Sequence, residues 1–417
     1  MMAGTAGGMH LWAIATASVV AAACALVGTL LVVRRQSLLG DAIGHAVLPG
    51  IALAVLAGAR PGGVAVFGAA VACALVTVGL VQVLRAVAGL AEDAGAGVVF
   101  TSLFAAGVVI VTLGASRIDL DASCVLYGIL EMVPFDTVPV GGVEVPRGFV
   151  SSAAVLAALV AVAVPTWKLQ VFSAFDPDGA RAAGVPVAAV TTGLLAATAV
   201  ATVAGFEVVG AVLVVALLVV PAAAAELLVH RLHRVALLAV AFAVGGAIVG
   251  YLLAYRWNTS AGGVIAVVLV AQYVVAALLA PEDGCVAQVA GRVRFAWRVA
   301  REDRLAAVWR AMEQRGTPAG PRSALEHLAG WWLRVRGRIV GAASLSAAGR
   351  REAEMVVRSH RLWEAWLGRH ADLPLDHLHP PAEWVEHHLG EAARRRIEAE
   401  LEHGRGDPHG REIPPEA

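Results

Sequence analysis

Asp41 and His45 stand four residues apart in the run Leu38-Leu39-Gly40-Asp41-Ala42-Ile43-Gly44-His45-Ala46-Val47-Leu48-Pro49-Gly50, which holds no other ionisable group. On a helix that spacing puts both side chains on one face, so a carboxylate oxygen and an imidazole nitrogen converge as a divalent transition metal requires. An ionisable group inside an apolar segment costs about 3 kcal/mol unless it is paired or hydrated, which makes such residues functional candidates. The same spacing is equally compatible with Asp41 capping the helix and His45 bonding a backbone carbonyl. Glu207 is a further carboxylate in apolar surroundings, placed either to line a polar path or to pair with a polar neighbour.

A second group of nitrogen and oxygen donors lies far downstream. His360 and Glu364 are four apart, and His379, Glu383, Glu386 and His387 follow around Pro380-Pro381. Two helices bearing these pairs could bring imidazoles and carboxylates onto one ion. Solvated Glu/His faces are common, so the pattern by itself also fits an ordinary polar surface.

The elements that must position these residues follow from composition. Of 417 residues 59% are hydrophobic and 15% charged, which is the composition of a membrane protein. The charge is unevenly spread: up to about residue 280 the chain is Ala/Val/Leu/Gly-rich, and 281–417 is rich in Arg, Glu, His and Trp. Apolar segments of spanning length fall at 11–33, 43–58, 63–84, 97–115, 150–166, 187–204, 235–255 and 261–279, with a shorter one at 207–220. The expected fold is all-α, with about eight spans plus a short or re-entrant helix, followed by a small, mainly helical cytoplasmic domain. The run 11–33 lacks a basic region before it and reads as a retained span, not a cleaved signal.

With the Arg-rich tail inside, Arg34, Arg35, Arg85, Lys168, Arg181, Arg231 and Arg234 fall on the inner face, whereas Arg60, Arg117, Arg147 and Arg256 fall outside. This agrees with the positive-inside bias. The acidic stretch 119–150 then faces outward, where a delivering protein could dock. Formal net charge is zero, so no global basic field points to nucleic acid. The cysteines Cys24, Cys73, Cys124 and Cys285 are scattered, without a paired metal motif. Lys168 is the only lysine and closes no Gly-rich phosphate loop, so this chain is not expected to hydrolyse ATP, and no H-E-x-x-H pair suggests a metalloprotease.

The run from Arg34 to Gly50 closely resembles the signature of the manganese/zinc/iron ABC permease family. Glu92-Asp93, Asp119-Leu120-Asp121 with Tyr127-Gly128, Phe175-Asp176-Pro177-Asp178-Gly179-Ala180-Arg181, and Val208-Val209-Gly210 through Val219-Val220-Pro221 follow in the family's order. The resemblance covers about residues 10–280. It implies a helical permease of a bacterial inner membrane, working as a homo- or heterodimer with a separate ABC ATPase and an extracytoplasmic metal-binding protein. It also implies that Asp41 and His45 contact the ion in transit. The segment 222–233, with Glu226, His230, Arg231 and His233, looks like the short helix that seats in the ATPase.

The tail has its own resemblance. Arg358-Ser359-His360-Arg361-Leu362-Trp363-Glu364, His377-Leu378-His379, Ala382-Glu383-Trp384-Val385-Glu386-His387-His388 and Asp407-Pro408-His409-Gly410-Arg411 look like the metal-binding and dimerisation region of the diphtheria-toxin-repressor family. The resemblance places His360, Glu364, His379, Glu383, Glu386 and His387 on ligand positions, with Asp303 as a further one. Glu383 stands where manganese-responsive members carry Glu and iron-responsive ones Cys, and hard oxygen donors suit Mn(II). The DNA-reading part has drifted, with Trp331-Trp332 where a recognition helix would show polar groups, so no nucleic-acid partner is expected.

The domains expected are thus a permease at 1–285, a linker and degenerate winged-helix segment at 286–350, and a metal-binding/dimerisation region at 351–417. The function expected is import of a divalent transition metal (Mn, Zn or Fe), which serves as substrate and regulatory ligand with no organic cofactor. The alternative is a membrane-tethered, metal-responsive transcription regulator.

Overall fold

The computed structural model of the chain describes residues 6–59, 63–89, 92–114, 130–281, 284–341, 344–371, 374, 377, 379–401 and 406–415. The side chains at positions 6, 38, 41, 92, 93, 114 and 379–381 lie outside the described set, as do Asp119, Asp121, Tyr127 and Gly128 entirely. The chain divides into two units, Met1–Ala287 and Gln288–Ala417.

The first unit is a helical assembly, as an apolar chain must be where no water satisfies its backbone. Its helices are α1 (Ala6–Val33), α2 (Ser37–Ala46), α3 (Leu48–Leu56), α4 (Val64–Ala88), α5 (Glu92–Gly114), α6 (Arg147–Phe175), α7 (Pro177–Ala182), α8 (Val187–Val209), α9 (Ala211–Glu226), α10 (Leu232–Trp257) and α11 (Ala261–Leu279). Seven of them, α1, α4, α5, α6, α8, α10 and α11, are long and apolar enough to cross a bilayer, and 42–56 and 211–226 form shorter apolar segments. The expected span 43–58 is therefore a broken one: the helix is interrupted at Val47, and Pro49 in the first turn of α3 has no N–H to carry the ladder across.

Helix α1 is the most enclosed span, 67% buried, and packs on α6, α8, α9 and α10. The segment expected as a re-entrant helix is α9, which starts where Gly210 turns the chain at φ 81. The segment 222–233 is not a separate short helix. Ala222, Ala224 and Ala225 are buried and carry α9 on to Glu226, after which the chain turns and α10 begins at Leu232. Opposite this end of the spans, a hairpin of β1 (Thr137–Val140) and β2 (Val143–Pro146) precedes α6, with Gly141 and Gly142 at positive φ in its tip.

The second unit holds α12 (Cys285–Gln314, which begins just before it), α13 (Ala324–Val335), the two-residue strands β3 (Ile339–Val340) and β4 (Ser344–Leu345), α14 (Ala347–His370), α15 (His379–Val385) and α16 (Glu391–Glu400). Ser323 and Ser346 cap α13 and α14 by accepting from Glu326 N and Gly349 N. Leu305, Val308, Leu333, Ile339 and Ala353 form one core, and Leu362, Ile397 and Leu401 another. Residues 315–338 hold one helix, α13, between α12 and the β3–β4 hairpin. A helix-turn-helix needs two helices at that place.

Candidate metal centres

In the first unit the motif helix α2 approaches α8 closely. A Cβ on Gly44 would lie 2.3 Å from the tip of the Phe206 ring, so glycine lets this contact form without moving that ring. His45, the next residue, is half-buried, with its ring 5.6 Å from that of Phe100 and 6.0 Å from that of Phe104 on α5. Asp41 lies one turn earlier on the same helix; its side chain is outside the described set. Glu207 is exposed on α8, and the charges that act on it are those of Arg147 and Asp136. Glu226, His230, Arg231 and His233 are all exposed around the α9–α10 turn.

One polar cluster in this unit is more extensive than its sequence suggested. The guanidinium of Arg34, at the end of α1, donates to Thr191 Oγ1 (3.0 Å), Gln170 Oε1 (2.9 Å) and Ser173 Oγ (2.6 Å), which ties α1 to α6 and α8. The sequence marked Arg34 as an inner-face charge and as the first residue of the signature run, with no partner for it. Gln170, Ser173 and Thr191 have no spacing pattern that links them to it.

In the second unit two elements deliver converging donors to one place, and α14 sets His360 and Glu364 beside them. Asp303 comes from α12, Glu386 and His387 from the turn after α15, and one donor atom from each lies within 4.8 Å of the others. Glu386 is the centre of the arrangement. Its Oε2 is 2.6 Å from His360 Nδ1 and its Oε1 3.5 Å from His387 Nε2, and Arg310 stands 3.7 Å away. His360 also donates through Nε2 toward Glu364 Oε1 at 3.1 Å. His387 has Asp303 Oδ1 3.1 Å from Nε2 and Glu302 Oε2 2.7 Å from Nδ1. The side chains of His360, Glu364, Glu386 and His387 are each at most 5% exposed.

A buried carboxylate between two imidazoles, with further carboxylates at its edge, is the oxygen and nitrogen donor set of a divalent transition metal. The residues present therefore fit such an ion. Of the expected ligands, Asp303, His360, Glu364, Glu386 and His387 are brought together. Glu383 sits on the wall of an adjoining cavity of about 430 Å³, with its carboxylate 3.9 Å from Arg322, and the His379 side chain lies outside the described set.

Both imidazoles hold protons more tightly than usual. Burial works against the charged form, yet the hydrogen bonds to Asp303 and Glu302 raise His387 to about 9, and those to Glu364 and Glu386 raise His360. A raised folded-state pKa contributes stability that is complete below about pH 6.5 and fades as pH climbs through the folded value. The metal-free protein is accordingly expected to melt on the order of 5 °C lower at pH 9.5 than at pH 6.5 in this unit. Scanning fluorimetry in chelator on the Trp-rich second unit checks this, and a melting point flat across that window would contradict it.

Against this geometry, residues 8–280 match the ABC 3 transport family. The chain belongs to the ABC 3 transport family. Residues 346–415 match a separate model, the iron dependent repressor, metal binding and dimerisation domain. The manganese transport system membrane protein MntD of Bacillus subtilis is 40% identical over 66% of this chain and 93% of its own length. The zinc transport system membrane protein TroD of Treponema pallidum is 32% identical over 65% of this chain and 74% of its own. Among solved structures, PsaBC from Streptococcus pneumoniae, in complex with Fab, superposes with a TM-score of 0.56 at 26% identity, covering 66% of this chain and 92% of that one.

Membership of the ABC 3 transport family accounts for the first unit alone, because the match ends at residue 280. Asp303, the one residue of the cluster on α12, lies outside both matched segments. Its position beside His387 is set by the packing of α12 against the segment after α15, which no local pattern records. Glu302, its neighbour, carried no signal at all in the sequence.

Proposed function

We propose that this ABC 3 family member is the membrane subunit of an importer for divalent transition-metal ions, and that its second unit reads the cytoplasmic concentration of the same ion. The observation that carries the second half is the convergent Asp303/Glu386/His387 cluster, with Glu386 buried at its centre, in a chain whose other unit is a permease. The first half is supported by the manganese and zinc transport systems named among the relatives. In this reading Asp41 and His45, with Glu207 farther along, contact the ion in transit. Glu226, His230, Arg231 and His233 present a polar surface at the inner end of α9 and α10 to a separate ATPase subunit. A second permease subunit and an extracytoplasmic metal-binding protein complete the machine.

The positive-inside distribution of Arg34, Arg35, Arg85, Arg231 and Arg234 supports a cytoplasmic second unit. Manganese is favoured over zinc and iron because the cluster is rich in carboxylates and has no thiolate. The tethered-regulator reading fares worse. With one helix before the hairpin, and with Leu325, Leu328, Trp331 and Val335 exposed along it between His327 and Arg334, α13 presents a largely apolar surface, poorly suited to reading a base edge.

A reporter on its own permease slows uptake when the ion is plentiful, since binding that favours a closed state acts only through differential affinity. Proteoliposomes holding the chain and its ATPase, loaded with a range of internal Mn(II), are expected to take up metal more slowly as internal Mn(II) rises. A chain ending at residue 290 is expected to lose that dependence. Equal inhibition of both forms ends the sensor reading.

A further inference from the structure

We infer that Glu302 is a positioning residue that sets His387 for metal binding without itself touching the ion. The inference rests on the reading of Asp303, Glu386 and His387 as a metal site. His387 is 5% exposed and engaged at both ring nitrogens. On one edge Nε2 faces Asp303 Oδ1 at 3.1 Å and Glu386 Oε1 at 3.5 Å. On the other, Nδ1 faces Glu302 Oε2 at 2.7 Å.

These two edges have different tasks. A cation shared with Asp303 and Glu386 takes the lone pair of Nε2, so the neutral imidazole must carry its proton on Nδ1. The group waiting for that proton is Glu302. A carboxylate there fixes the tautomer, holds the ring plane and adds electron density to the ligating nitrogen, which is the general use of an outer carboxylate behind a metal-bound histidine.

The helix explains how neighbouring residues reach opposite edges. Consecutive side chains on α12 diverge by about 100°, so Asp303 reaches the cluster side of the ring while Glu302 reaches the back. The convergent donor set accordingly contains Asp303 and not Glu302. Glu302 is also 27% exposed, so its charge remains partly hydrated and adds little burial cost. Glu386 itself faces the second imidazole through its other oxygen, so it cannot supply this acceptor.

The test uses the purified full-length chain in detergent, with Mn(II) affinity and stoichiometry measured by equilibrium dialysis and the Co(II) d–d absorption recorded at saturating metal. Glu302→Ala is expected to weaken Mn(II) binding about 10–100-fold, with stoichiometry and the Co(II) band unchanged because the donor set is intact. Glu302→Gln is expected to recover most of the affinity, since its amide oxygen still accepts from Nδ1. Wild-type affinity in Glu302→Ala overturns the inference. So does loss of stoichiometry, or a shifted Co(II) band, in both variants, which would make Glu302 a ligand. Asp303→Ala is the separate control: if it leaves binding unchanged, the metal-site reading falls whatever Glu302 does.

Discussion

His45→Ala in the full-length chain, reconstituted with its ATPase, is expected to lower metal uptake by at least about 100-fold, and Asp41→Asn to do nearly the same. Removing even an outer partner of a metal ligand costs about 10–100-fold, so losing a group proposed to contact the ion is expected to cost no less. The structural setting makes the effect specific. His45 is half-buried against Phe100 and Phe104, one residue from the Gly44–Phe206 contact that fixes α2 on α8. Alanine at 45 leaves that contact alone and suits a helix. The folded amount of protein is therefore expected to hold while transport falls, as measured by size-exclusion profile beside radiometal or ICP-detected uptake. Substantial uptake by both variants would remove Asp41 and His45 from the ion's route.

Why some of this was legible in the sequence, and some not, is a matter of range. The spans declare themselves locally, because a run of about 20 apolar residues has one use. The break in the second span could be seen only as Gly and Pro around Val47; that it produces two helices was decided by Pro49 within the first turn of α3. Pro221 is the reverse case. It lies inside α9, and the buried alanines after it keep the helix going, so the expected separate helix at 222–233 does not form. His360 and Glu364 were readable from one helical turn, and Glu386 and His387 from adjacency. Asp303, indicated only by the resemblance, and Glu302 join them from 83 to 85 residues away in sequence, through packing of α12 that period and composition do not encode. The Arg34 cluster, spanning 136 to 157 residues, is hidden for the same reason.

The single helix between α12 and the β3–β4 hairpin bears on the proposed regulatory role. On the proposed reading, a metal domain with one helix between α12 and the β3–β4 hairpin among the described residues would act on something other than DNA, and the permease in the same chain is present at equal concentration. Covalent linkage makes the encounter intramolecular, with an effective concentration near the millimolar range for a short connection. Only Ala280–Gly284 separates α11 from α12.

Glu386→Ala is expected to have the largest effect in the second unit, because one carboxylate there serves two imidazoles. Its oxygens lie 2.6 Å from His360 Nδ1 and 3.5 Å from His387 Nε2, with Arg310 at 3.7 Å, and the side chain is 2% exposed. Taking away one partner of a buried ionic set costs about 3–5 kcal/mol, since the remaining charges lose their compensation without regaining water. The metal-free variant is thus expected to melt well below the wild type in the second unit. Mn(II) affinity is expected to fall by more than about 100-fold, as a ligand is lost and not merely its support. Uptake into proteoliposomes should then no longer slow as internal Mn(II) rises. Glu386→Gln separates the two causes: it preserves volume and an acceptor oxygen, so it should restore much of the melting temperature while leaving metal affinity low. If Glu386→Ala binds Mn(II) as tightly as the wild type, the cluster is a structural ion-pair network, and the sensing function has to be sought in other residues.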